Sequence, residues 1–350
     1  MENKLSASKI KTAQSCSWKY WCSYHLKLPQ KGNDGSSRGW ICHLIFELLG
    51  SKRHYHHYKK IIKSGSIFSS KSITKLVHYH AKKLNVFDQE NLDLIDMMTV
   101  KGLLYDFFGA SSTKPSLAIS EQDFDLDIQE DGKNYRIRGF IDKLFLYDKK
   151  TRAVIRDFKT SKQLFKGKEL ADNLQNLMYC LAVKKMFPTV KNIEVEFLFL
   201  KFDLSEDLFG EKGPGVIKMD PLSKEELEGF EYQLDYIQEY LDNFDENHAV
   251  SNFAGSQDYP SDKTFGGPLM CGKEGFKKSR GEYVLNSAGE KIPNYICEFR
   301  LPMEYYALLD AEGNHIKSSF DKEGISIPDG FSLEKRHYEG CPYFKNQNLV

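Results

Sequence analysis

Asp142, Asp157 and Lys159 sit in two runs whose spacing can bring all three side chains to one point. Residues 134–147 and 153–158 are rich in aromatic and β-branched side chains, and the polar stretch Asp148-Lys149-Lys150-Thr151 lies between them. That is the pattern of a β-hairpin. If Asp148 and Thr151 close the turn, facing residue numbers sum to 299 and Asp142 stands opposite Asp157. Such a pair holds its Cβ atoms about 5 Å apart, and bare like charges there repel. A divalent cation between them removes the objection. Lys159 follows Asp157 by two residues and so leaves the same face of the strand. Ile141, Val154, Ile155 and Phe158 make the surroundings core-forming, and charge among such neighbours needs a partner. The ordinary reading is a Lys–Asp pair on a solvated sheet face. The chemical reading is a Mg²⁺ or Mn²⁺ site built from Asp142, Asp157 and the Phe158 carbonyl, with Lys159 steering a water. Two acids and a cation converging in this way suit phosphodiester cleavage.

Other candidates are weaker taken singly. Gln175 and Tyr179 are four apart on an expected helix over about 167–186, beside the stripe Leu170, Leu174, Leu177 and Leu181, so they share a face. They read either as a helix edge meeting solvent or as the floor of a site. His43 lies on an expected helix from about Gly39 to Leu49; alone, a histidine there packs more often than it ligates. Glu121 reads as structural. Cys42 and Cys180 fall in helical patterns and read as buried thiols. Cys16, Cys271, Cys297 and Cys341 lie in turn-like or loop contexts without a CxxC pair, and four such thiolates can hold a [4Fe–4S] cluster or Zn²⁺.

Helices, a hairpin, a helix, a strand and a helix follow one another, which implies a mixed central sheet flanked by helices, an α/β fold. Lys31 to Arg38 reads as a loop, 51–118 as a mostly helical insertion with a solvated stretch at His54, His56 and His57, and 90–108 as a buried helix. Ile193 to Phe202 reads as a strand, and about 223–245 as an amphipathic helix opened by a capping box at Ser223 and Glu226. From about 250 onward the chain looks loop-rich. The expected division is a core over 1–250, with its insertion near 50–118, and a cysteine-bearing region over 251–350 that packs back on the amino-terminal segment. Trp18, Tyr20, Trp21 and Tyr24 suit core packing or base stacking.

Lys+Arg and Asp+Glu both number 49, so the chain does not coat nucleic acid by bulk charge, although one basic groove remains possible. No apolar run approaches the ~20 residues of a membrane span. The start lacks an apolar secretory segment, and seven cysteines argue against a disulfide framework. The expectation is a soluble, cytoplasmic protein without a membrane partner.

At these residues the chain resembles the PD-(D/E)XK nuclease superfamily, in particular its RecB-like branch with the Cas4 exonucleases and the AddB nuclease domain. Five runs carry the resemblance in order: Leu5-Ser6-Ala7-Ser8-Lys9-Ile10 to Cys16, Gly39 to His43, Gly139-Phe140-Ile141-Asp142, Asp157-Phe158-Lys159-Thr160, and Gln175 to Tyr179. It implies a restriction-endonuclease-like core, His43 beside the metal, Asp142 and Asp157 as ligands, Lys159 as catalytic lysine, and Gln175 with Tyr179 in the site. It implies a Mg²⁺- or Mn²⁺-dependent DNA exonuclease acting on single strands or duplex ends in recombination or end processing, with a helicase or recombinase as a possible partner. The alternatives are a silent DNA-binding or scaffold subunit and a restriction-type endonuclease. Iron–sulfur members place three cysteines close together near the end, partnered by an amino-terminal one, here Cys16 in preference to Cys22. Cys271, Cys297 and Cys341 are instead widely spread, with Glu274 where a CxxC partner would stand.

Overall fold

A computed structural model of the protein describes residues 3–111, 113–208, 210–254, 271–273 and 295–344. The chain forms two compact units, Met1–Ala7 with Gly32–Gln238, and Ser8–Lys31 with Glu239–Val350.

The first unit contains helices α1 (Asp34–Gly50), α2 (Tyr55–Ser64), α3 (Lys71–Lys83) and α4 (Gln89–Leu104), then strands β1 (Leu117–Glu130), β2 (Lys133–Tyr147) and β3 (Arg152–Lys159). Helix α5 (Leu174–Met186), strands β4 (Asn192–Phe199) and β5 (Val216–Lys218), and helix α6 (Lys224–Asp242) follow. The sheet has the order β1-β2-β3-β4-β5. Its one parallel step, β3 to β4, is bridged by the crossover that contains α5, as a parallel pair requires. The mixed sheet flanked by helices is the architecture the alternating pattern predicts. The hairpin register also agrees: Tyr147 pairs with Arg152 and Lys143 with Arg156.

Several boundaries differ from expectation for local reasons. The loop expected to run to Arg38 stops at Asn33, whose side chain accepts from Ser36 N–H at 2.9 Å and starts α1 five residues early. The 90–108 helix ends at Leu104. The helix expected over 167–186 is broken. A short turn at Lys168–Ala171 precedes Asn173, which caps α5 by accepting from Gln175 and Asn176. Leu170 consequently leaves the apolar stripe and is exposed. The Ser223–Glu226 capping box forms as predicted, with reciprocal bonds of 3.1 and 2.7 Å.

The core of this unit lies between α1–α4 and one face of the sheet. Phe46 of α1 stacks on Phe158 of β3 at 4.1 Å between ring centroids, among Ile41, Ile45, Ile95, Met98, Leu198 and Leu200. Burying such side chains supplies roughly 1.5–3 kcal/mol each. The packing fixes α1, and with it His43, against the end of β3.

The second unit is more regular than its glycine and proline content suggests. Strands β6 (Met303–Leu309), β7 (His315–Ser319) and β8 (Ser332–Tyr338) form an antiparallel sheet of order β8-β6-β7, which corrects the loop-rich expectation there. Trp18 and Tyr20 are buried and pack in the core, while Trp21 and Tyr24 are half-buried. Ser17 ties that segment to Ala249 and Asn252 with hydroxyl bonds of 2.8 and 2.7 Å. Among the described residues, no helix is long and apolar enough to cross a membrane.

Candidate active site

Beyond the Lys143–Arg156 pair, β2 and β3 part. The Asp142 carboxylate spans the gap, accepting from Phe158 N–H at 2.7 Å through Oδ2. Its other oxygen meets His43 Nδ1 at 3.2 Å. Asp157, buried on β3, accepts at Oδ2 from Tyr179 hydroxyl at 2.9 Å and Gln175 amide at 2.7 Å. Gln175 Oε1 in turn accepts from Lys159 ammonium at 2.6 Å. Gln175 and Tyr179 are therefore brought against Asp157, and one glutamine holds both the acid and the lysine.

Two glycines of the motifs permit this approach. A Cβ on Gly39 would lie 2.7 Å from Thr160 Oγ1, so the bare backbone lets α1 come down on the end of β3. A Cβ on Gly139 would lie 2.5 Å from the Phe124 ring, which itself meets Tyr179 edge-on at 6.4 Å.

The electrostatics follow from burial and crowding. Burial alone would disfavour the His43 cation, but the Asp142 carboxylate outweighs it and lifts the imidazole to about 9. Burial pushes the Asp157 carboxyl up, opposed by Lys159. Burial and then Asp157 hold the Tyr179 phenol far above its ordinary value, which keeps it a donor.

Glu121, read from the sequence as structural, lies beside His43 and Asp142. It sits in β1 with φ of 49°, a conformation uncommon outside glycine, between Ser120 and Gln122, which pair with Lys143 and Ile141. Ligand atoms of Glu121, His43 and Asp142 lie within 4.8 Å of one another. Burial and then the Asp142 charge raise the Glu121 carboxyl to about 7. No sequence signal marks a non-glycine strand residue for the left-handed region.

The donor set fits a hard divalent ion. It offers carboxylate oxygens and one imidazole. Asp157 Oδ1 is buried and faces Lys159 Nζ at 2.5 Å. The positive charges of His43 and Lys159 face the oxygens that a metal ion would occupy. The site opens into a broad cleft lined by Arg38, Lys159, Lys162 and Lys201 and by Asp34, Glu90, Asp142 and Asp157, so its lining is mixed in charge.

Among the four predicted cysteines, Cys16, Cys271, Cys297 and Cys341 all line one apolar pocket of the second unit with Trp18 and Phe299. Cys22 does not line it. Instead its thiol points to the Tyr338 hydroxyl at 3.5 Å. The Cys297 N–H donates to Cys271 carbonyl and the Cys341 N–H to Arg300 carbonyl, so backbone bonds draw the distant cysteines together. Glu274 lies outside the described residues. Cys42 and Cys180 are buried thiols, as predicted.

No curated protein matches the chain. Two solved structures resemble it: that of SSO0001, at 16% identity over 48% of this chain and 69% of that one with a TM-score of 0.26, and that of protein VC1899 from Vibrio cholerae, at 8% identity over 57% and 48% with a TM-score of 0.22. The family model of the PD-(D/E)XK nuclease superfamily matches residues 4–249. That span contains every residue from His43 to Tyr179 that meets around the buried acid pair, and the chain belongs to the PD-(D/E)XK nuclease superfamily.

Proposed function

We propose that this nuclease is a Mg²⁺- or Mn²⁺-dependent DNA exonuclease of the RecB-like, Cas4-like branch, acting inside the cell on single strands or duplex ends in end processing or recombination. The observation that carries the reading is the shared cleft into which Asp142, Asp157, Lys159 and His43 all open, with Asp142 accepting from Phe158 N–H, Lys159 paired with Asp157, and Glu121 beside His43 and Asp142. Asp142, Asp157, His43 and the Phe158 carbonyl would hold the ion, with Glu121 completing the set. When bound, it polarises the scissile phosphate and acidifies a coordinated water.

The protein's own groups do the positioning. Gln175 accepts from Lys159 and donates to Asp157, which fixes the ammonium where negative charge develops on the phosphate. Tyr179 donates to the same Asp157 oxygen, while Oδ1 pairs with Lys159. The Phe158 N–H orients Asp142 in the same way.

The four cysteines that line one pocket of the second unit, Cys16, Cys271, Cys297 and Cys341, support a metal staple, with a [4Fe–4S] cluster favoured by the resemblance to the iron–sulfur members of this branch. Cys16 supplies the amino-terminal ligand, and a helicase or recombinase partner would fit this branch.

Digestion of end-labelled linear DNA in Mn²⁺ by wild type and Lys159→Ala tests the activity. Loss in the variant alone supports it; equal activity, or none in either, favours a binding subunit. Cutting of closed circular DNA would point to an endonuclease.

A further inference from the structure

We infer that Trp40 and Phe140 are base-stacking platforms on either side of the metal site, and that α2 and α3 extend one of them into a phosphate track for an unpaired DNA strand. The inference deepens the nuclease reading above and rests on it for the strand's direction toward the cleft.

Ser36, Trp40 and His43 fall at i, i+4 and i+7 of α1 and so share one face of that helix. Ser36 and His43 line the cleft, while Trp40 is 50% exposed. Its ring lies 4.8 Å from His80 of α3, which is followed edge-on by the exposed Tyr79 at 4.9 Å. On the other side, Phe140 precedes Asp142 by two residues on β2, the spacing that puts side chains on one strand face. It is 63% exposed, and the exposed Arg138 continues that face. Each ring lies within three residues of a candidate metal ligand and keeps half or more of its surface exposed, which leaves a π-face for a base.

The charge of the insertion supplies the rest. Between Glu47 and Asp88 the chain has nine lysines and arginines and no acid, in a protein whose net charge is zero. All nine are exposed, and none forms a salt bridge among the described residues. Lys52, Arg53, Lys59, Lys60 and Lys63 lie on or just before α2, and Lys71, Lys75, Lys82 and Lys83 on α3, the helix that brings His80 to Trp40. An acid-free basic surface joined to an aromatic platform is complementary to a polyphosphate backbone with unstacked bases. A protein partner would need matching acids opposite all nine cations, whereas a nucleic-acid backbone carries that charge throughout.

The test is fluorescence anisotropy with a short fluorescein-labelled oligothymidine in EDTA, using the full chain so that binding is read without cutting. Trp40→Ala and Phe140→Ala are each expected to weaken binding about tenfold, and Trp40→Phe to retain most of the affinity. An abasic strand of equal length, with phosphates but no bases, should bind wild type and both alanine variants alike. Replacing Lys59, Lys60 and Lys63 by Gln should lower the salt slope by about 2. Alanine variants that bind oligothymidine like wild type overturn the inference, as does equal loss on the abasic strand or absence of wild-type binding. Tight binding of an acidic peptide in preference to DNA would overturn it in favour of a protein partner. Binding that behaves as expected without Mn²⁺-dependent cutting would overturn the nuclease reading alone. Cutting that is indifferent to Trp40 and Phe140 would overturn the strand track alone.

Discussion

At the scale of single residues, the metal site is held ready by protons. Glu121 and His43 bind protons more tightly in the fold than in the unfolded chain, with values of about 7 and about 9. Their contribution to the stability of the metal-free protein is complete below the ordinary carboxyl range for Glu121 and below about 6.5 for His43. It is lost as pH rises through about 7 and about 9 respectively. A divalent ion must displace those protons, so its affinity climbs across the same window. The rise in melting temperature caused by Mn²⁺ should be larger near pH 8.5 than near pH 6, as differential scanning fluorimetry would read. Glu121→Gln should weaken Mn²⁺ binding by about 10- to 100-fold in calorimetry. Lys143 is a separate case. Burial, then the neighbouring Arg156, lowers its amine to about 7, while it donates to Ser120 Oγ at 2.7 Å. A depressed base destabilises the fold progressively as pH falls from about 10.5 to about 7. Lys143→Met should therefore stabilise the protein by about 1–4 kcal/mol at pH 7 and by less at pH 10, measured by urea denaturation. Asp142, Asp157 and Lys159 were legible in the sequence because strand alternation and turn register are local rules. Glu121 was not, since its place depends on one left-handed backbone angle that no neighbouring residue announces.

At the scale of elements, the close approach of α1 to β3 is the contact on which the site turns. Gly39→Ala would drive a methyl against Thr160 Oγ1. The helix must shift by tenths of an ångström, at a cost of about 1–3 kcal/mol. Thermal melts should show that loss, and Gly39→Ala combined with Thr160→Ala should recover part of it. Helix starts and stops were the least legible features. Asn33 begins α1 and Asn173 begins α5 through side-chain bonds to backbone N–H groups. Asparagine in a glycine- and serine-rich run reads equally well as loop. The sheet at Met303–Tyr338 escaped notice because its edge strands β7 and β8 are polar and show little alternation, while its apolar central strand β6 is short. The hairpin and β4 were legible from their apolar, β-branched runs.

At the scale of the whole molecule, zero net charge conceals an uneven distribution, with nine lysines and arginines and no acid between Glu47 and Asp88. The pocketed thiols carry a further expectation. Protein purified without oxygen should absorb in the visible charge-transfer region, and Cys16→Ser should lose that band together with several degrees of melting temperature for the second unit. A colourless sample free of iron would remove the cluster from the account.

The second unit is assembled from Ser8–Lys31 and Glu239–Val350, with about 200 residues of the other unit threaded between. A ribosome adds roughly 5–20 residues each second, so the early strip waits some tens of seconds before its companions emerge. During that wait Trp18, Tyr20, Cys16 and Cys22 have no native surface to cover them. The pocket that Cys16 shares with Cys271, Cys297 and Cys341 can form only after the carboxy-terminal segment is made, and an arrested nascent chain ending before residue 239 would leave the early strip open to protease.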